Sequence, residues 1–143
     1  ALDLADRAQR QGEVPVGALV VAGSEVLGEG WNQMIATSDP TAHAEIVAIR
    51  AAASALANYR LPEATLYATL EPCTMCAGAL IHARIKNLVF AAYEPKAGVI
   101  CSRCEVLDSP WYNHRVNWQG GIMADQSSAL LRAFFKSRRA SQS

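Results

Sequence analysis

Two short segments hold the residues best suited to chemistry. His43-Ala44-Glu45 follows Asp39-Pro40-Thr41, and Pro72-Cys73-Thr74-Met75-Cys76 follows the apolar run at residues 65–70. Cys73 and Cys76 are three apart, so a helix carries both sulfurs on one face, one turn apart. Pro72 suits a first helical turn, where a missing N–H costs little. Cys73 is therefore expected in the first turn, where the positive end of the helix dipole favours thiolate over thiol. Two thiolates and the imidazole of His43 supply three ligands for one zinc ion per chain. The fourth position is left to water, which is the pattern of a catalytic zinc. His43 and Glu45 lie about 200° apart around a helix, so they share no side face and can meet only beyond its N-terminus. Glu45 is then expected beside the metal as the acid/base, taking a proton from the activated water and delivering it to the leaving group.

A rival reading uses all four cysteines. Cys73-x-x-Cys76 and Cys101-x-x-Cys104 form two pairs, as in a structural zinc ribbon. The 24 residues between the pairs are long for a ribbon and contain a helix and a strand. A ribbon would also leave His43 and Glu45 without a role. Cys101 and Cys104 are read instead as semi-buried thiols in an irregular segment.

The elements around these motifs alternate. Residues 1–11 have helical spacing and end at Gly12; residues 16–21 and 25–31 flank a Gly23-Ser24 turn and read as a β-hairpin. Residues 42–55 are alanine-rich and helical, and residues 58–62 break that helix. A strand at 65–70, a helix from Cys73 to about residue 84 and a strand at 88–93 follow. Residues 94–113 are irregular, 115–118 form a short strand, and a helix runs from Gly120-Gly121 to about residue 139. This is the grammar of an α/β sandwich in a single domain spanning residues 1–143. Hydrophobic residues make up 51% and charged residues 18%, a globular composition. No apolar run approaches the roughly 20 residues of a membrane span. The first residues lack the marks of a signal peptide, so no membrane association and a reducing, cytoplasmic setting are expected.

His-x-Glu followed by Pro-Cys-x-x-Cys resembles the cytidine deaminase superfamily of zinc deaminases. The likeness narrows to its bacterial tRNA adenosine deaminase family through residues 13–18, 28–32, 39–45, 58–61, 65–85 and 113–116, and through Phe134-Phe135. That resemblance implies a three-layer α/β/α sandwich around a mixed five-stranded sheet, usually assembled as a homodimer. It implies hydrolysis of adenosine to inosine at the wobble position, with a tRNA anticodon stem-loop as partner. Asn32 matches the position that holds the target base, and Val14, Pro15 and Ala44 match the pocket lining. Residues 93–98 match the RNA-contacting loop loosely, and Cys101-Ser102-Arg103-Cys104 departs from the family pattern. The motif by itself also permits cytosine or guanine, since each offers an amino-bearing carbon beside a ring nitrogen.

Net charge is zero, but its distribution is not even. Residues 1–81 carry four Arg against nine acids, and residues 82–143 carry nine Lys or Arg against four acids. A polyanion-facing surface from the second half is one reading, with Lys96, His114, Arg115, Lys136, Arg138 and Arg139 as RNA-contact candidates. An ordinary solvated surface is the other. In the last helix Leu130, Leu131, Phe134 and Phe135 form i,i+4 pairs expected to face the core. The helix is then expected to leave the domain after Phe135, carrying Lys136, Arg138 and Arg139 into solvent. Trp31 is expected under the hairpin and His82 on the side of its helix away from the metal. Trp111 and Tyr112 are placed either to stack on a base or to cap the core.

Overall fold

The computed structural model describes the backbone of residues 1–142 and the side chains of residues 1–140. The chain order is α1 (Leu2–Arg10), β1 (Gly17–Ala22), β2 (Glu25–Trp31), α2 (Met34–Thr37), α3 (Ala44–Leu56), β3 (Thr65–Leu70), α4 (Thr74–His82), β4 (Asn87–Ala92), a 3-10 turn (Val106–Asp108), β5 (Asn117–Gln119) and α5 (Ala124–Gln142). The strands form one sheet in the order β2-β1-β3-β4-β5. β1 runs antiparallel to β2 and β3, whereas β3, β4 and β5 are parallel. Helices α1 and α5 cover one face and α3 and α4 the other, giving the expected three-layer sandwich. Among the described residues no helix is long and apolar enough to cross a membrane.

The core lies mainly between the sheet and the α3–α4 layer. Leu61, Leu66, Leu80, Ile85, Leu88, Phe90, Ile100 and Leu107 are essentially fully buried, and each such side chain contributes roughly 1.5–3 kcal/mol. The irregular segment after β4 therefore belongs to the core through Ile100 and Leu107.

The packing that positions the site is tighter still. Ala44, Ala48 and Ala52 recur every four residues on α3 and have no exposed surface. They lie over Gly28 and Gly30 of β2. A Cβ at Gly30 would fall 2.2 Å from the Ala44 carbonyl oxygen and 2.5 Å from the Ala48 nitrogen; one at Gly28 would fall 2.4 Å from the Ala48 oxygen. Helix backbone thus rests on strand backbone, with side chains absent on one side and minimal on the other.

Several local expectations need correction. α3 begins at Ala44, because Asp39 folds residues 39–42 into a turn by accepting hydrogen bonds from the Thr41 N–H (2.9 Å) and hydroxyl (2.7 Å). His43 is left in the extended N-cap position. Cys73 is likewise an extended N-cap, and α4 starts at Thr74. The last strand starts at Asn117, after the buried Val116. α2 was not expected, since its support comes from a distant residue: the buried carboxylate of Glu13 accepts the Ile35 and Ala36 N–H groups at 3.1 and 2.8 Å. α5 is rotated from its expected orientation. Phe134 is buried but Phe135 is 46% exposed, and Ser127 provides the other buried contact on that face.

The glycine–alanine seam carries a direct prediction. Gly30→Ala should cost about 1–3 kcal/mol or more by overpacking, read as a lower midpoint in chemical denaturation. The loss should exceed that of Gly78→Ala, where an added Cβ meets nothing within 4 Å.

Candidate metal centre and active site

The site forms where β2 and β3 end and β1 begins. Strand β3 delivers Glu71-Pro72-Cys73 to this edge, and the Gly17 N–H donates to Thr69 Oγ1 at 3.1 Å, locking the start of β1 to the end of β3. From β2 the chain passes directly into Asn32. Its Oδ1 accepts the Ala44 N–H at 2.9 Å, and its Nδ2 donates to the Val14 carbonyl at 3.1 Å. Asn32 thereby satisfies one of the orphan donors of α3 and ties that helix to residue 14.

The N-termini of α3 and α4 meet at one point. His43 Nδ1 lies 3.5 Å from Cys73 Sγ and 3.7 Å from Cys76 Sγ. Two ligand atoms at ordinary zinc distances and a tetrahedral angle are roughly 3.6 Å apart, so the cluster fits a zinc ion. The donor set of one imidazole and two sulfurs is also right for that metal. Among the described residues this is the one cluster of three such ligands, and it contains neither Cys101 nor Cys104. The four-cysteine ribbon is excluded by that placement.

The electrostatics agree with a ligand role. The Cys73 thiol is lowered to about 3, first by the hydrogen bond from Cys76 and then by His43, against the opposing effect of burial. Cys76 is pushed up, as the donor of that pair and by burial near Glu45. His43 is raised by its contact with the Cys73 sulfur, which outweighs burial. Glu45, 4% exposed, is pushed up to about 7, chiefly by burial, with the charge of Cys73 adding to it. A carboxyl poised near neutrality exchanges protons efficiently at physiological pH.

A cavity of about 210 Å³ opens onto His43, Glu45 and Cys73, with Val14, Asn32, Met34 and Leu70 among its walls. It is sized for a heterocyclic base. Of the resemblance-based lining residues Val14 faces the cavity, while Pro15 and Ala44 are buried behind it. Sequence reasoning missed Met34, Leu70, Glu71, Glu94 and Ala97, which reach the cavity through long-range folding. Glu71 and the Glu-Pro-Cys continuity were the available signals, since a residue beside a metal ligand must lie near the site.

The RNA-contact candidates divide into three places. Lys96, Lys136 and Arg139 line one groove of about 690 Å³ together with Arg132 and Phe135, neither of which had been expected there. Lys96 lies in the chain between Glu94 and Ala97, so one short segment contributes to both the groove and the cavity. Arg138 instead bends back to donate to the Gly12 carbonyl, with its guanidinium 5.0 Å from the Phe134 ring centre. His114 bonds the Ile85 carbonyl at 2.7 Å, and Arg115 donates to the Leu107 carbonyl at 3.3 Å. His114 lines a separate hollow with His82, Tyr59 and Trp111. Tyr112 packs against the core, whereas Trp111 is 73% exposed. Trp31 turns toward α1, donating to Gln11 and lying under Arg7.

A cytidine-deaminase-like sandwich with a His-Cys-Cys zinc centre and a buried glutamate defines a zinc-dependent deaminase. A family model described as MafB19-like deaminase matches residues 1–139. A tRNA-specific adenosine deaminase of Haemophilus influenzae is 52% identical over 140 residues, covering 97% of this chain and 81% of the relative. One from Aquifex aeolicus is 43% identical, covering 97% and 91%. A solved structure from studies of A-to-I editing by tRNA:A34 deaminases aligns with a TM-score of 0.89 at 41% identity, covering 92% of this chain and 95% of that one. The chain belongs to the MafB19-like deaminase family, alongside these tRNA-specific adenosine deaminases.

Metal analysis of the purified protein should find one zinc per chain. That content should persist in the Cys101→Ser, Cys104→Ser double variant and in Glu45→Ala, and fall to near zero in Cys73→Ser. Zinc lost with the second cysteine pair would contradict the ligand assignment.

Proposed function

We propose that this protein hydrolyses adenosine to inosine at the wobble position of a tRNA anticodon, releasing ammonia. The observation that carries the reading is one segment serving two features: Glu94 and Ala97 line the cavity that holds His43, Glu45 and Cys73, beside the ligand cluster completed by Cys76, and Lys96 lines the basic groove. The near-complete alignment with tRNA-specific adenosine deaminases supplies the substrate.

His43 Nδ1 and the sulfurs of Cys73 and Cys76 would hold the zinc, which when bound supplies the Lewis acidity that makes water a nucleophile at neutral pH. Glu45 takes a proton from the attacking water and passes it to the ring nitrogen beside the amino-bearing carbon. It then relays a proton to the departing amino group, so that water enters and ammonia leaves. Asn32 orients the base. Each of its polar atoms has one internal partner, leaving Oδ1 a second lone pair and Nδ2 a second hydrogen. Val14, Met34 and Leu70 enclose the ring, and burial around Glu45 keeps its proton from bulk water. A loop base suits such a pocket, because turning it out costs little unpairing energy.

Lys96, Arg132, Lys136 and Arg139 would bind phosphates beyond the cavity. The active RNA-bound form is proposed to be a homodimer, for which the hollow exposing Tyr59 and Trp111 offers an aromatic surface. A reducing, cytoplasmic setting fits the four free thiols.

The decisive assay compares an anticodon stem-loop with free adenosine, cytidine and guanine. Adenosine in the stem-loop should react fastest, and a preference for free guanine or cytidine would replace this reading with another nucleobase. Glu45→Ala should lower turnover by about 10²–10⁴ with zinc retained, while Asn32→Ala should chiefly raise KM.

The groove is tested separately through salt. Replacing Lys96, Lys136 and Arg139 with Ala should weaken stem-loop binding and flatten its log–log salt dependence by roughly one unit per lost phosphate contact. Arg138→Ala should leave that slope unchanged, since its guanidinium is held against Gly12 and Phe134.

A further inference from the structure

Glu71 neither belongs to the metal cluster nor has a part in proton transfer, yet its carboxylate is among the most heavily engaged groups in the chain. It is 2% exposed. Its Oε2 accepts three consecutive backbone N–H groups, from Ile100 at 3.0 Å and from Cys101 and Ser102 at 2.9 Å each. Its Oε1 accepts the Glu94 N–H at 3.1 Å and the Ser102 hydroxyl. Successive N–H groups converging on one point form a nest, the concavity by which loops commonly bind an external anion. Here the anion is part of the chain.

The loop closes tightly around that carboxylate. A Cβ at Gly98 would lie 2.4 Å from Glu71 Cδ and 2.7 Å from the Glu94 carbonyl oxygen, so this approach requires glycine. The Gly98 N–H donates to the Glu94 carbonyl at 2.9 Å, and the Val99 N–H to the Pro72 carbonyl at 3.1 Å. All the donors to Glu71 therefore sit on one segment, residues 94–102. That segment supplies Glu94 and Ala97 to the base cavity and Lys96 to the basic groove.

We propose that Glu71 is a positioning residue for the nucleic-acid substrate: it acts as a built-in anion that fixes residues 94–102, holding base cavity and basic groove in one register. The substrate named here rests on the function proposed above. The competing role would be to brace Pro72-Cys73 for the metal, and the two make different demands. A metal brace governs zinc content and kcat. A substrate-loop brace governs KM and the order of the loop.

Glu71→Gln keeps the shape but turns an NH2 donor toward backbone N–H groups. In the zinc-loaded protein it should raise KM for an anticodon stem-loop about tenfold or more, the worth of one charged hydrogen bond, with kcat within about threefold. Zinc should remain at one per chain. Hydrogen exchange at the amides of Glu94, Ile100, Cys101 and Ser102 should accelerate about tenfold or more, while the amides of β3 and α4 keep their protection. Ser102→Ala, which removes only the hydroxyl donor, should move KM and loop exchange in the same direction by less. Loss of zinc, a fall in kcat at unchanged KM, or unaltered loop exchange in Glu71→Gln would overturn the proposal. If that variant does not fold, Ser102→Ala decides, and unchanged KM and exchange there would overturn it. If the wild-type protein acts on no RNA, the substrate reading fails, while loop exchange still decides whether Glu71 fixes the segment.

Discussion

The approach of α3 to β2 is the constraint on which the active site depends. With Gly28 and Gly30 beneath Ala44, Ala48 and Ala52, the helix sits at a distance set by backbone atoms, with no side chain between to adjust it. His43 caps that helix and Glu45 lies in its first turn, so the seam fixes the height of both above the sheet. Close-packed interiors do not deform smoothly. A seam made from backbone leaves His43 and Glu45 little freedom, as the proton transfer proposed for Glu45 over hydrogen-bond distances requires.

The other half of the centre arrives by a different route. Parallel strand β3 ends at Leu70, and the chain turns through Glu71 and Pro72 to present Cys73 at the head of α4. Two helix N-termini thus face one point. Their partial positive charges suit thiolate and, beyond it, any developing negative charge. Glu45 pays for its place: burial raises its carboxyl to about 7, so in the metal-free fold its contribution to stability is lost as pH rises from its unfolded value through that point. The same burial that destabilises the ionised form is what suits it to the proton-transfer role proposed for it.

What was legible in the sequence was local or periodic. His43, Glu45, Cys73 and Cys76 stood out by type and spacing, β2 by its place after the Gly23-Ser24 turn, and β3 by its β-branched and aromatic residues. The ends of the helices were less so, because their caps depend on partners far away. Asp39 set the start of α3 through a turn that pattern alone ran together with the helix. Glu13 supports α2 across more than twenty residues, and Glu71 gathers donors from about thirty residues downstream. A lone acid in a sequence carries no mark of such partners. α5 was misoriented for a related reason. Leu130, Leu131, Phe134 and Phe135 allow two apolar stripes, and only the bond from Ser127 to the Thr69 carbonyl and the packing of Phe134 select between them.

The formal charge of zero misdescribes the surface for the same structural reason. Three of the acids in the first half, Glu13, Glu45 and Glu71, are almost wholly buried. Glu13 and Glu71 direct their charge at backbone N–H groups within the fold. A carboxylate used in this way is largely spent internally and projects little field into solvent. Lys96, Arg132, Lys136 and Arg139 meanwhile line a groove open to solvent. At physiological ionic strength charges act over about 8 Å, so an approaching phosphate responds to that local group and not to the total for the chain. A protein that is neutral on paper can therefore present a basic face, because part of its negative charge has become framework.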